Sequence, residues 1–201
     1  MRVIGITGGV GAGKTRILHY LKRRYRCRIL LADDAAKMLQ EPGQPCYEQI
    51  VSLLGKDIAG KDGRIRKEKM AEKIFHDGGL LAAVNAIVHP AVKTYILQEI
   101  ERERRKAETD FFFLEAALLL ECGYEEIAEE IWYVYADEDV RRRRLKAGRK
   151  YTDEKIDSIF RSQLPDRTYR ERCGFVIDNS GEAGYAYEQI DKKMGESLWK
   201  K

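Results

Sequence analysis

The sequence predicts an α/β domain built on a parallel sheet covered by helices, with a helical insertion near 60–105. Three observations carry this expectation. Short apolar runs rich in β-branched and aromatic residues recur at 2–7, 28–32, from 111, 131–136 and 175–178. Helical patterns fill the stretches between them, and connections of that length are the crossovers that parallel strands require. The first run also opens into a turn with five glycines in the ten residues "GITGGVGAGK", and a helical pattern follows at once. Glycine orders at an entropic disadvantage, so its concentration at one turn needs a reason.

The elements follow in order. "RVIGIT" (2–7) is a short buried strand, stopped by the glycines. Ile17, Leu18, Leu21 and Tyr25 recur at helical spacing and set an amphipathic helix at about 15–25. "RILLA" is the second strand. A helix carrying Ala35, Ala36 and Leu39 follows and ends at the turn "EPGQP"; Tyr47 to Leu54 give another, closed by Gly55. From Lys67 to about Lys106 the pattern is helical, broken at "HDGG" and bent at His89–Pro90. "FFFLEAALLL" begins as a buried strand, and "IWYVYA" is another. "DEDVRRRRLKA" is a helix with Asp137 as N-cap, and "TDEKIDSIFRSQL" one with a capping start at Thr152. "FVID", the turn "NSG" and a C-terminal helix complete the chain.

Composition narrows the classes. The 201 residues suit one domain, with 44% hydrophobic and 35% charged residues, as in a soluble globular protein. Cys27, Cys46, Cys122 and Cys173 are scattered without a Cys-x-x-Cys pair, which argues against a zinc site and for reduced thiols. No secretory leader and no apolar run approaching 18 residues are expected, so the location expected is cytoplasmic and no membrane partner is. The net charge of +4 gathers at 22–28, 101–106 and 141–144. The first closes a helix, where cations suit the dipole, and the second mixes signs as a solvated face does. Anionic small molecules account for these clusters as well as nucleic acid, which is not an expected partner.

The glycine stretch fits Gly-x-x-x-x-Gly-Lys-[Ser/Thr] as Gly8, Gly13, Lys14 and Thr15. Bare amides at Gly9, Gly11, Ala12 and Gly13 wrap a phosphate chain, and the helix that carries Thr15 and Arg16 aims its positive end at the anion. Lys14 reaches the terminal phosphates and the Thr15 hydroxyl suits Mg²⁺. The pattern therefore predicts ATP and Mg²⁺ as cofactors. An Asn-Lys-x-Asp guanine reader is missing, and the chain is short for a motor, which leaves kinases of small molecules. Such a kinase needs an acid near the acceptor hydroxyl, a pocket for the acceptor and a cationic lid. "LLADDAAK" supplies the acid at the end of the second strand, as Asp33 or Asp34; an N-cap role is the alternative for either.

Beyond the loop, the ordered motifs "ADDAAK", "EPGQPCYEQIVSLLG", "VHP" (88–90), "ALLLE" (117–121) and "VIDNSG" (176–181) resemble the dephospho-CoA kinase family almost end to end. That resemblance implies ATP-dependent phosphorylation of the ribose 3′-hydroxyl of dephospho-CoA. It implies a nucleotide-binding core at about 1–57 and 108–201, a CoA-binding lobe at about 58–107 and a lid at about 137–165. Residue by residue, it implies Asp33 as the base, Lys37 at the place of the family's arginine, and Thr7 near the acceptor. His89 is expected to line the CoA pocket, with a capping or core role as the alternative. Leu118, Leu119 and Glu121 align with the family's "LL" and "E". Glu115 is expected to help hold Mg²⁺, or else to be a structural carboxylate, and Asn179 to lie near the adenine. Arg144 matches the first lid arginine, and Arg149 is the nearest cation to the second, on a loop hinged at Gly148. Arg141 to Arg144 fan around a helix, so most of them are expected to be solvated. Leu31, Ala117 and Gly148 depart from the family pattern.

Overall fold

A computed structural model describes residues 1–198 of the chain. It divides into two compact units, Met1–Ile29 with Glu103–Lys201, and Leu30–Arg102. Five strands, β1 (Arg2–Thr7), β2 (Cys27–Leu31), β3 (Phe111–Glu115), β4 (Glu130–Tyr135) and β5 (Phe175–Asp178), form one sheet in the order β2-β3-β1-β4-β5. β1 pairs in parallel with β3 and β4, and β4 with β5. The register Ile6↔Glu115 and Thr7↔Tyr133 brings the ends of β3 and β4 level with the end of β1, where the glycine turn begins.

The alternation of these strands is lost because both faces are covered. Ile4, Ile6, Phe112, Phe113, Leu114, Trp132 and Val134 are all fully buried, each contributing roughly 1.5–3 kcal/mol by removal from water. Helix α1 (Lys14–Arg24) buries Ile17, Leu18 and Leu21 and ends in Lys22, Arg23 and Arg24, cations placed at the negative end of its dipole. Near the C-terminus of the chain, α9 (Ala183–Leu198) buries Ala186, Ile190 and Met194 at four-residue spacing.

Three further helices complete the first unit: α6 (Glu138–Arg149), α7 (Asp153–Ser162) and α8 (Asp166–Arg172). Thr152 caps α7 through its side chain, accepting from the Lys155 amide. Asp137 stands at the N-cap of α6 but does not cap it with its carboxylate, which accepts from the Tyr135 hydroxyl at 2.6 Å. The sequence reading missed α8, which is only seven residues long and carries a single buried side chain, Tyr169.

The second unit is helical: α2 (Ala32–Leu39), α3 (Tyr47–Leu54), α4 (Lys67–His76) and most of α5 (Gly78–Lys106). Helix α5 runs through Pro90 and buries Val84, Val88, Val92 and Ile96, again at four-residue spacing. By length and average composition α5 is long and apolar enough to cross a membrane. Asn85, His89 and Lys93 interrupt it, so it reads as apolar only as an average.

Candidate active site

The glycine turn is held by side chains that grip its alternate carbonyls. Lys14 Nζ donates to Gly8 O at 2.7 Å, Arg141 Nε to Val10 O at 2.9 Å, and Asn179 Nδ2 to Ala12 O at 2.6 Å. Arg144 Nη1 adds a second donor to Ala12 O at 3.3 Å. A planar trans peptide points its C=O and the next N–H in opposite directions. Fixing these three carbonyls therefore turns the amides of Gly9, Gly11 and Gly13 the other way. Gly13 is the N-cap of α1 and has no side chain with which to cap it, so the first amides of α1 join the same set. The result is an anion cradle made of backbone.

Lys14 and Glu115 lie together at its root. Lys14 Nζ is 3.6 Å from Glu115 Oε1, and both side chains are largely buried. Thr15 is exposed on the first turn of α1. Thr7, the last residue of β1, is fully buried, and its hydroxyl has no hydrogen-bond partner among the described residues.

Asn179 stands against the loop. It is fully buried; its amide is spent on Ala12 O, and its Oδ1 accepts from Arg16 Nη2 at 2.8 Å. Gly13 explains the closeness: at φ 92° it is left-handed, and a Cβ there would lie 2.4 Å from Asn179 Nδ2. Asn179 is thus a strut beneath the loop, beside Gly13 and Arg16. Arg144 Nη2 donates to the Asn179 carbonyl at 2.8 Å. Burial lowers the pKa of Arg144, and the neighbouring cations Arg16 and Arg143 lower it further. An anion placed among Arg16, Arg144 and the loop relieves that repulsion.

Arg141 to Arg144 do fan out around α6, but of these four only Arg143 is exposed. Arg141 and Arg144 face the loop, flanking the buried Leu145. Arg142 faces α7, where Asp153 and Asp157 pair with it, and it also pairs with Glu138 one turn earlier on α6. The expectation that most are solvated is therefore corrected. Gly148 is no hinge, because α6 continues through it to Arg149 and stops at Lys150, which is left-handed. Arg149 is exposed, its guanidinium 5.9 Å from the Tyr151 ring centre, and it makes no contact with the loop among the described residues. Arg141 was missed by the sequence reading. The signal available was Leu145: in a helix full of cations, the residue four before the lone buried leucine shares its face.

In the second unit, Asp33 and Asp34 occupy the first turn of α2, both exposed. Asp34 accepts from Lys37 Nζ at 2.7 Å, while Asp33 has no hydrogen bond or ion pair among the described residues. A groove of about 1060 Å³ is lined by apolar side chains of α4 and α5, including Met70, Ile74, Phe75 and Leu81, with Lys37, Arg64 and Lys67 also on its lining. His89 is half-buried on α5 and is not among the residues that line this groove.

In the first unit, Leu118 is half exposed and Glu121 exposed. Leu119 is fully buried, with its Cδ1 so close to Gly5 that a Cβ there would be 2.8 Å away. Leu119 therefore anchors its segment to β1 with its side chain.

Comparison with known proteins agrees with this geometry. The family model described as dephospho-CoA kinase (CoaE) matches residues 2–184. A dephospho-CoA kinase of Carboxydothermus hydrogenoformans is 31% identical over 198 residues, covering 98% of this chain and 95% of the relative. That of Corynebacterium diphtheriae is 29% identical over 201 residues, 100% of this chain and 97% of the relative. Among solved structures, one from Thermus thermophilus superposes with a TM-score of 0.83 at 29% identity, covering 98% of this chain and 97% of that one. The dephospho-CoA kinase of Campylobacter jejuni, at 19% identity, gives 0.72 with the same coverage and supports the fold. The chain belongs to the dephospho-CoA kinase family, enzymes that use ATP to phosphorylate dephospho-CoA in the last step of coenzyme A biosynthesis.

Proposed function

We propose that the loop at 8–15 holds the phosphates of ATP, that the reaction depends on Mg²⁺, and that the groove of the helical unit takes the acceptor. The observation that carries this is the pinned loop: three alternate carbonyls gripped by side chains, with their amides turned into one cradle. Lys14, held at Gly8 O, is the cation nearest the terminal phosphates, and Arg144 compensates charge from the side of α6. The adenosine fits the groove of about 840 Å³ that starts at Gly13, Thr15 and Arg16 and passes the stacked rings of Tyr20 and Tyr187.

The donor set suits Mg²⁺. Among the described residues no three His, Cys, Asp or Glu side chains cluster as a protein cage would require. Mg²⁺ in kinases is held by one or two protein groups with phosphates and water, and the Thr15 hydroxyl and the Glu115 carboxylate are of that kind. When bound, the ion neutralises charge on the transferring phosphoryl group.

The acceptor groove combines an apolar wall with cations, the pairing required by a pantetheine arm joined to a diphosphate. Asp33 takes the proton of the 3′-hydroxyl as its oxygen attacks the γ-phosphorus of ATP and the β–γ bridging oxygen leaves with ADP. Four free cysteines are consistent with a reducing, cytoplasmic setting. The test is an assay of ATP and dephospho-CoA with phosphorus NMR of the product, with and without Mg²⁺. A new 3′-phosphomonoester formed only with a divalent ion is expected. A Phe75→Ala variant should raise KM for dephospho-CoA several-fold and leave KM for ATP unchanged; an effect on ATP alone would place the acceptor elsewhere.

A further inference from the structure

Arg141 is held in a way that no other cation of α6 is. Its Nε donates to Val10 O at 2.9 Å, its Nη2 donates to Gln163 Oε1 just beyond α7, and its Cζ lies 4.3 Å from the ring centre of Phe160 on α7. The guanidinium also lies flat against Gly9, where a Cβ would be 2.5 Å from Cζ. Burial lowers its pKa, yet an arginine stays charged at neutral pH. One charged group is thus shared between the loop and the α7 segment.

A purely structural account of this contact is weak, because α6 has other attachments on both sides. Arg144 ties α6 to the loop through Ala12 O and Asn179 O. Arg142 and Lys146 tie it to α7 through Asp153, and Arg142 through Asp157 as well. What Arg141 alone does, among these, is join the loop directly to α7.

We propose that Arg141 is a positioning residue for phosphoryl transfer. By donating to Val10 O it fixes the Val10–Gly11 peptide so that the Gly11 amide faces the phosphates. It does so only while Phe160 and Gln163 hold its guanidinium, so loop geometry follows the packing of α7. The proposal rests on the reading of the loop as the site of the ATP phosphates. Arginine is suited to the task because its planar fork serves two acceptors and a ring face at once, which an ammonium does not.

The test uses the full-length chain with Arg141→Ala, Arg141→Lys, Gln163→Ala and the Arg141→Ala/Gln163→Ala double variant. The thermal midpoint and the kcat and KM for each substrate are measured. Arg141→Ala is expected to lower kcat/KM for ATP by about 10–10², with KM for dephospho-CoA unchanged. Arg141→Lys should recover part of this loss. The double variant should be no worse than Arg141→Ala alone, since both remove one linkage. A lower melting point with parental kinetics per folded molecule would overturn the proposal, as would additive losses in the double variant. If Arg141→Ala does not fold, the Lys and Gln163 variants carry the same readouts. Lys14→Ala serves as the control: if it binds ATP as the parent does, the reading of the loop itself fails. If it loses ATP while Arg141→Ala behaves as the parent, only the role of Arg141 falls.

Discussion

Arg144 and Asn179 converge on one carbonyl, Ala12 O, and are themselves joined, the guanidinium donating to the Asn179 carbonyl at 2.8 Å. This small network fixes the last peptide of the loop before α1 begins. Removing the Asn179 amide leaves Ala12 O short of its best donor in a buried place, and takes from the exposed Arg16 one acceptor. Asn179→Ala is therefore expected to cost about 1–3 kcal/mol of stability, the range for a broken buried hydrogen-bond pair, and to raise KM for ATP. Asn179→Asp, which keeps shape but loses the donor, should behave similarly. Denaturant unfolding and initial rates check both; unchanged ATP kinetics would show that the strut serves stability alone.

The two aspartates of α2 divide by their partners. Asp34 is paired with Lys37 three residues on, whereas Asp33 is exposed and has no partner among the described residues. An exposed pair of this kind contributes little. Asp33→Asn is expected to lower turnover by about 10² or more at saturating substrates, as loss of a positioned base does, with the fold unaffected. Asp34→Asn should change turnover less than about threefold. The opposite ranking would mean that the base is Asp34.

Much of this site was legible in the sequence because it is made of backbone. A cradle of amides needs glycines at fixed spacing between a strand and a helix, and that demand is written locally at Gly8 to Thr15. What was not legible depends on tertiary contacts. Nothing near Asn179 says that its amide turns down to Ala12, 167 positions away. Gly148 suggested a hinge, but a helical glycine costs only about 1 kcal/mol, and α6 absorbs it because Leu145, Arg144 and Arg142 are already anchored. The short α8 carries too little periodicity to be seen. That the Leu119 side chain packs on Gly5 is likewise a tertiary contact that its own segment does not announce.

Two thiols make a pH-dependent prediction. Burial pushes both Cys27 and Cys173 up to about 11, whereas an unfolded thiol titrates near about 8.5. A folded pKa above the unfolded value means that the contribution to stability is fully present below about pH 8.5 and is lost as pH rises toward 11. The protein should accordingly lose stability over that alkaline window, and Cys27→Ser/Cys173→Ser should lose less of it. At pH 8 the thiolate fraction falls by about 10² relative to an ordinary cysteine, so alkylation of both should be slower by about that factor. Peptide mapping after timed iodoacetamide treatment measures this directly. Labelling of Cys173 at the rate of free cysteine would show that its surroundings open to solvent.

The two candidate lid arginines should separate sharply, because the helix places them differently. Arg144 touches Ala12 O and Asn179 O, and its pKa is lowered by burial and by the nearby Arg16. Its charge is thus uncomfortable until an anion arrives, which is how a phosphate-binding cation is poised. Arg149 is the last residue of α6, exposed, with its guanidinium toward Tyr151. A cation stabilising charge on a transferring phosphoryl group is worth about 10³–10⁵ in rate where it contacts that group, while an exposed surface arginine changes stability or rate little. Arg144→Ala is expected to lower kcat/KM for ATP by at least about 10², and Arg149→Ala to change it less than about threefold. The measurement is initial rate against ATP concentration at saturating dephospho-CoA. A large loss in Arg149→Ala with little loss in Arg144→Ala would mean that the end of α6 unwinds during turnover and carries Arg149 to the phosphates, and the assignment of Arg144 would fall.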